Sequence, residues 1–485
     1  MRIMRIAGIV MKRTLCLLLL FSSPPSFAAV EPATSPGKIN EVFVELKGRA
    51  LTHSYEIQEA QSALSQKSAQ VYTSWTRWLP RVDAEFSQSR SRDYSLVTSG
   101  ALGSSGFSFT PQTLSLSRWA LNLSVPLYQR SVHVQVEQSS AEKALAQNQF
   151  NLKVSELDWR MRLVLGNYLL QIYAVVTLDT SIKIAQANLK EADLRFELGQ
   201  KTKVDVLRAK ANLSTLESQK VTQQQLSARA LGDLLEYSGL RQDDLQQMGL
   251  LELVKTEEQL NRTLDEFSKW EEVLPPLVPY LEAGFDSNWP SQPEGPSIEK
   301  QIVGESLPYQ GFLAQETVDT RRAKTLMAQE WPTLRLQGNI NKQANTWDSA
   351  FESGNQSYAV GVNLVVPLFS GGSLFSSFFE KRNAEELSRV RTERDVFHFK
   401  NEVEKERVEL RSSLKLVEAQ RLILEQNQEI ERLSFKSYQL GKATLVELLG
   451  SENDVLTSKR TLAQTKIKIA VLIRQFAWNL GVSLP

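Results

Sequence analysis

Few residues in this chain are of a type and spacing that could do bond-making chemistry. There are three histidines, His53, His133 and His398, and they are scattered along the chain; the one cysteine is Cys16. Neither a thiolate zinc site nor a disulfide framework can be built from one sulfur. No Ser/His/Asp spacing, phosphate-binding glycine loop or HExxH-like run occurs, so the chain is not expected to be an enzyme and no cofactor or metal is expected. The residues with the most specific spacing form turns. Leu198-Gly199 is followed by Thr202 and Asp205, and Leu440-Gly441 is followed by Thr444 and Glu447. A glycine can end a helix in the left-handed conformation, and Thr-x-x-Asp/Glu can cap the next one. The same helix reversal is therefore written twice.

These turns join elements that are themselves duplicated. Pro80-Arg81-Val82 recurs as Pro332-Thr333-Leu334, and Val125-Pro126-Leu127-Tyr128 recurs as Val366-Pro367-Leu368-Phe369. In each copy two segments of alternating apolar and polar residues come first, about 81–92 and 114–127, then 333–343 and 357–368. Period-2 patterning over about ten residues fits half-buried strands, and that length fits tilted membrane-spanning strands. Polar, Gly and Ser residues collect around 93–113 and 343–356, the expected loops. Proline-free stretches follow, giving long helices over about 131–238 and 372–480. Heptad rows such as Tyr168, Val175, Ile182, Leu189, Phe196 and Leu448, Val455, Leu462, Ile469, Phe476 predict coiled-coil packing. The first repeat spans 29–273, the second 310–485, and a proline-rich linker lies over 274–309. A helix resembling 41–76 restarts near 310–330.

The chain has 485 residues, with 56 Lys+Arg against 55 Asp+Glu. That balance excludes a dedicated nucleic-acid binder. A mean hydropathy of −0.27 excludes a polytopic helical membrane protein. Residues 1–28 have a basic start, the apolar run Leu15–Phe21 and Ser26-Phe27-Ala28, the order of a secretory signal peptide starting at Met1 or Met11. Its removal would leave a cysteine-free chain of net charge −3, suited to an oxidising compartment. Four strands cannot close a barrel, and unpaired edges cannot face lipid, so the strands must be pooled among copies.

Taken together, the duplicated plan, Pro367-Leu368-Phe369-Ser370-Gly371-Gly372 and Tyr438-x-x-Gly441-x-x-Thr444-x-x-Glu447-Leu448-Leu449 resemble the TolC family of outer-membrane channel proteins over essentially the whole mature chain. The resemblance implies a mainly α fold with a small β part: a homotrimer whose twelve-stranded β-barrel sits in outer-membrane lipid and continues as a periplasmic α-helical coiled-coil tunnel. It implies the exit duct of a tripartite efflux pump or type I secretion system in a Gram-negative cell. The partners would be a periplasmic adaptor protein and an inner-membrane transporter of RND, ABC or MFS type, with no cofactor and no nucleic acid. Leu198, Gly199, Thr202, Asp205, Leu440, Gly441, Thr444 and Glu447 match the family's tip, where adaptors dock; capping alone is the other reading. Acidic residues near the tip could close such a duct, with Glu425 and Glu429 on one helix face and Glu431, Arg432 and Glu191 expected nearby; a solvated surface is the alternative for each. An exported coiled-coil structural or adhesion protein is the competing function.

Overall fold

The computed structural model describes residues 38–98, 107–247, 250, 256–282, 298–352, 354 and 356–484. The expected signal peptide, the centre of the first strand loop and linker residues 283–297 lie outside the described residues. Residues 39–485 form one compact unit.

Its first repeat runs α1 (Lys38–His53), α2 (Tyr55–Thr76), β1 (Arg81–Thr98), β2 (Phe107–Gln129), α3 (Arg130–Glu197) and α4 (Lys203–Ser238). Short helices α5 (Gln242–Gln247), α6 (Glu257–Phe267), α7 (Val278–Glu282) and α8 (Ile298–Glu305) follow. The second repeat runs α9 (Leu307–Ala328), β3 (Thr333–Ala344), α10 (Trp347–Phe351), β4 (Ser357–Val365), α11 (Ser373–Gln439) and α12 (Leu445–Leu480).

The four strands form one antiparallel sheet in the order β1-β2-β3-β4. Both edges, β1 and β4, are open, and β4 is exposed along its whole length. The first hairpin is longer than its alternation suggested. Pairing continues to Thr98↔Phe107, because Phe107, Phe109 and Thr110 favour extended backbone and each added pair completes two backbone groups. In the second copy β4 stops at Val365, two residues before Pro367, which has no N–H to offer a ladder. Pro126 of the first copy is instead taken up in a register shift between Pro126 and Tyr128.

Register divides the sheet into two unlike faces. Val82 and Phe86 share a face with Leu121, Leu123, Ile340 and Val360, all large apolar residues exposed on this chain. On the other face Asn122, Asn339 and Asn341 hydrogen-bond in a row. The β3–β4 connection folds over one end of the apolar face. There Phe351 stacks 6.5 Å from Phe86, and Trp119 Nε1 donates to the Ala350 carbonyl at 2.8 Å.

The long helices α3 and α11 have 68 and 67 residues, about 100 Å each at 1.5 Å per residue. One 18-residue window in α3 is apolar enough to cross a bilayer, but half of it is buried against neighbouring helices. The heptad rows are core: Val403, Leu410, Leu448, Ile469 and Phe476 are fully or nearly fully buried. In the first copy's row Val175 and Leu189 are half-buried and Phe196 is 43% exposed. Two main clusters form away from the sheet. In one, α1 lays Ile39, Phe43 and Leu46 against Met161, Leu165 and Leu169 of α3. A charged set crosses that contact, with Lys47 bridging to Asp158 at 2.6 Å and Arg162 stacked 4.0 Å over the Phe43 ring. In the other, Leu277 and Ile302 pack against α11 and α12.

Helix boundaries repeat too, although only Ser306, accepting from the Tyr309 N–H, caps with its side chain. α2 and α9 are each 22 residues and begin after Ser54 and Ser306. α4 and α12 end at Gly239 and Gly481, both left-handed. A Cβ on Gly239 would lie 2.3 Å from the His53 carbonyl oxygen, and one on Gly481 2.4 Å from that of Glu305. Each repeat thus locks its returning helix against the residue before its own serine.

Candidate functional site

The two helix turns lie at the ends of α3 and α11 farthest along the chain from the strands. In the first, the Gly199 N–H donates to the Phe196 carbonyl (2.9 Å) and the Gln200 N–H to that of Arg195 (2.8 Å). In the second, Gly441 donates to Tyr438 (3.0 Å) and Lys442 to Ser437 (2.8 Å). Both are Schellman ends, with φ of +71° at Gly199 and +72° at Gly441. The caps then differ in detail. The Thr444 N–H donates to Glu447 Oε2 at 3.2 Å while the Glu447 N–H donates to Thr444 Oγ1 at 3.3 Å. At the shorter Asp205, the Thr202 N–H and hydroxyl both donate to one carboxylate oxygen, at 3.2 and 3.0 Å. Leu198 and Leu440 are exposed, 62% and 72%.

The turns contact each other around Tyr438, chiefly through Arg195. Arg195 in the last turn of α3 donates to the carbonyls of Tyr438 and Gln439, each at 3.3 Å, and to Glu191 Oε1 at 2.5 Å. Its guanidinium lies 5.2 Å from the centre of the Tyr438 ring, and the Lys201 ammonium lies 5.0 Å from it. Tyr438 is fully buried, packed with Ala192, Ala209, Leu445 and Leu448. Its hydroxyl has no partner among the described residues. Burial pushes the phenol above its ordinary range, against the opposing pull of Arg195. Sequence reading missed this contact; the only local signal is that Tyr438 stands where the first copy has Phe196.

The expected gate residues do not gather into one cluster. Glu425 and Glu429 are exposed on one face of α11, and Arg432 is paired with Glu429, its Nε 2.7 Å from Oε2. That hydrogen bond holds the Glu429 carboxyl below its ordinary value. Glu431 is two residues beyond Glu429, so it points around the helix toward the other hairpin. It lines a cavity of about 80 Å³ with Thr177, Ser181, Glu452 and Lys459. Burial raises the Glu431 carboxyl, opposed by Lys459. Glu452 is raised by burial too, against a hydrogen bond from Asn188 at 2.8 Å. Lys459 is held by Glu257 of α6 at 2.7 Å. Glu191 belongs to the other hairpin and is committed to Arg195. These five charges fall in three environments: helical phase separates Glu431 from Glu425, Glu429 and Arg432 on α11, and Glu191 lies on α3. Among the described residues no cluster of His, Cys, Asp and Glu could hold a metal ion.

Comparison with known proteins gives these features a setting. Residues 314–470 match the family described as outer membrane efflux protein. No curated protein matches the sequence. Among solved structures, the chain resembles the CmeC outer membrane channel of Campylobacter jejuni, with a TM-score of 0.70 at 15% identity over 94% of this chain and 90% of that one. The outer membrane protein VceC of Vibrio cholerae has a TM-score of 0.65 at 14% identity, over 93% of this chain and 100% of that one. The open state of the Neisseria gonorrhoeae MtrE outer membrane channel has a TM-score of 0.58 at 14% identity, over 95% and 96%. At these identities the likeness establishes the shared fold.

Proposed function

We infer that this chain, whose residues 314–470 are an outer membrane efflux protein domain and whose length has the fold of such channels, is one protomer of an outer-membrane exit duct. It is a passive conduit of a tripartite efflux pump or a type I secretion system. The observation that carries this reading is the sheet: four strands, two open edges, one apolar face and one face lined by asparagines. Open edges and an exposed apolar face are untenable in water or lipid unless further copies complete the ring. Three copies supply twelve strands, an apolar girdle toward lipid and a polar lumen. The helices then carry the lumen about 100 Å into the periplasm.

At the far end the paired turns meet an adaptor protein that links the duct to an inner-membrane transporter. Leu198 and Leu440 are apolar side chains held out from capped, rigid turns, as a docking surface requires, and Thr202, Asp205, Thr444 and Glu447 fix those turns. Photo-crosslinking groups placed at Leu198 and Leu440 are expected to capture a periplasmic adaptor in living cells. Capture of no partner at either position, with the channel in place, would leave the turns as caps alone.

Closure is assigned to the exposed acidic face of α11. With three copies in a ring, Glu425 and Glu429 present a ring of carboxylates where cations would bind. Glu425→Ala with Glu429→Ala is expected to raise closed-state conductance in a planar bilayer. Unchanged conductance would remove both residues from the gate. Glu431 lines the cavity between the hairpins and Glu191 is paired with Arg195, so neither is placed in that ring.

A further inference from the structure

The strand register fixes where the apolar run of the sheet stops. Val82, Ala84 and Phe86 alternate along β1 on the apolar face, and β1 pairs with β2 from Arg81↔Ser124 to Thr98↔Phe107 without a shift. Followed away from the helices, the continuous apolar run of that face ends at Phe86, Trp119, Ile340 and Tyr358 on the four strands. Phe86, Trp119 and Tyr358 are aromatic, as is the girdle that marks the edge of the hydrocarbon layer on a membrane barrel. The helices join the opposite end of the sheet, at Arg81, Gln129 and Thr333.

Past the girdle the same face turns basic. Unshifted alternation places Gln88, Arg90 and Arg92 on it, while Ser87, Ser89 and Ser91 take the opposite face with Asp83 and Glu85. Arg90 and Arg92 are exposed, and no carboxylate of a described residue is paired with either. Three arginines at the helix end of the sheet are held instead. Arg81 Nε donates to Asp83 at 2.9 Å, Arg335 donates to Gln129 Oε1 at 3.3 Å, and Arg130 lies 5.9 Å from the centre of the Trp331 ring. A further cation, Lys342, stands opposite Trp119 and is buried under α10, its ammonium donating to the Glu352 carbonyl. Asp348 and Glu352 on that connection are exposed, and neither carboxylate is paired with Arg90, Arg92 or Lys342 among the described residues.

Height above the girdle follows from strand geometry. At about 3.4 Å per residue and a tilt of about 45°, Arg90 and Arg92 stand about 10 and 14 Å beyond Phe86. Arginine stems lie along apolar surface and bring the charged head to the headgroup layer. Guanidinium binds phosphate through paired N–H···O bonds, and two of them about 7 Å apart on one strand can converge on one phosphate. We propose that Arg90 and Arg92 bind the phosphate groups of lipopolysaccharide, the phosphorylated glycolipid of the outer leaflet, whose acyl chains lie on the apolar face below. The surface itself selects this occupant. It is basic although the chain is balanced, with 56 Lys+Arg against 55 Asp+Glu, and it continues a face that the barrel turns to lipid. The proposal rests on the reading of the chain as an outer-membrane barrel protomer with its helices in the periplasm.

The glycolipid retained by oligomers purified from outer membranes, read by gel and mass spectrometry, tests it. Arg90→Glu with Arg92→Glu is expected to lower retained lipopolysaccharide about tenfold, and Arg90→Lys with Arg92→Lys to keep most of it. Ser89→Glu with Ser91→Glu puts the same charges on the opposite face and should leave retention unchanged. If the Glu pair does not assemble, Arg90→Gln with Arg92→Gln is read in its place. Equal retention without the arginines, or equal loss from the Ser89 and Ser91 variant, would overturn the assignment. A titration separates the sources of phosphate. Delipidated oligomer receives phosphorylated lipid A, lipid A stripped of its phosphates, or phosphatidylglycerol vesicles, and its dissociation temperature is recorded. Phosphorylated lipid A alone should raise that temperature, and the arginine variant should need about tenfold more for half the effect. The same rise with stripped lipid A would mean that acyl chains suffice, and with phosphatidylglycerol that any anionic lipid serves; either contradicts the proposal. If the unmodified protein is no outer-membrane oligomer, the channel reading falls too. If it is one and its retained glycolipid ignores these arginines, only this proposal falls.

Discussion

The two helix turns carry nearly the same local instructions and end in different surroundings. Tyr438 is buried beneath Arg195 and the first turn, whereas its equivalent Phe196 is 43% exposed. Leu445 and Leu448 are buried at the second turn, and their equivalents at the first are Lys203 and Val206. The same inequality recurs near the strands, where α3 packs against both α2 and α9, whereas α11, among the described residues, packs against α9 as its one short-helix neighbour there. Caps are set by neighbours in sequence, so they repeat; burial is set by neighbours in space, and these differ between the repeats. The difference between the repeats therefore marks the apolar surface of α11, with Phe375, Phe378 and Phe379, that this chain leaves uncovered.

The largest effects are expected where the repeats agree. Gly239→Ala and Gly481→Ala each force a left-handed alanine and a Cβ against a backbone carbonyl, together worth about 3 kcal/mol or more. The two variants should lower the oligomer's dissociation temperature by similar amounts, and a large effect at only one site would show that the repeats are not locked alike. Next come the positions where they differ. Tyr438→Ala removes a fully buried ring, costing on the order of 3 kcal/mol. It should make the turns readily cleaved in limited proteolysis, while Phe196→Ala leaves cleavage near the unmodified level.

A smaller effect separates the hairpins by pH. Glu406 on α11 is buried, and that burial raises its carboxyl from 4.5 to about 7, against hydrogen bonds from Asn479 and Gln475 of α12; Glu402 and Glu409 on its own helix raise it further. Its equivalent in the first repeat is Val164. A carboxyl raised on folding binds more protons in the folded state, so its contribution is full below about pH 4.5 and is lost as pH climbs toward 7. The loss is at most about 3 kcal/mol. Glu406→Gln should remove this fall in stability between those pH values, as read by thermal unfolding; an unchanged pH profile would assign the dependence elsewhere.

What could be read from residue order follows the same division. The paired turns were legible because glycine, threonine and an acidic residue act within six positions of one another. The strands were legible as alternation, although their ends were not: Thr98↔Phe107 pairing depends on the partner strand, and the end of β4 depends on a proline two residues on. Helical phase separates Glu431 from Glu429, a distinction available from spacing alone that the expected gate cluster passed over. Arg195 on the Tyr438 carbonyl and Lys47 on Asp158 join residues far apart in the chain, and no local pattern specifies them. The matching helix starts after Ser54 and Ser306 went unread in the sequence, since they acquire meaning only beside Gly239 and Gly481.

A duct assembled from copies of this chain has to be both oligomeric and conducting. Purified from outer membranes and added to a planar lipid bilayer, the unheated protein should migrate as an oligomer that falls to one chain on boiling, and should insert as discrete ion-conducting steps. A single-chain species that inserts no conducting step would contradict it.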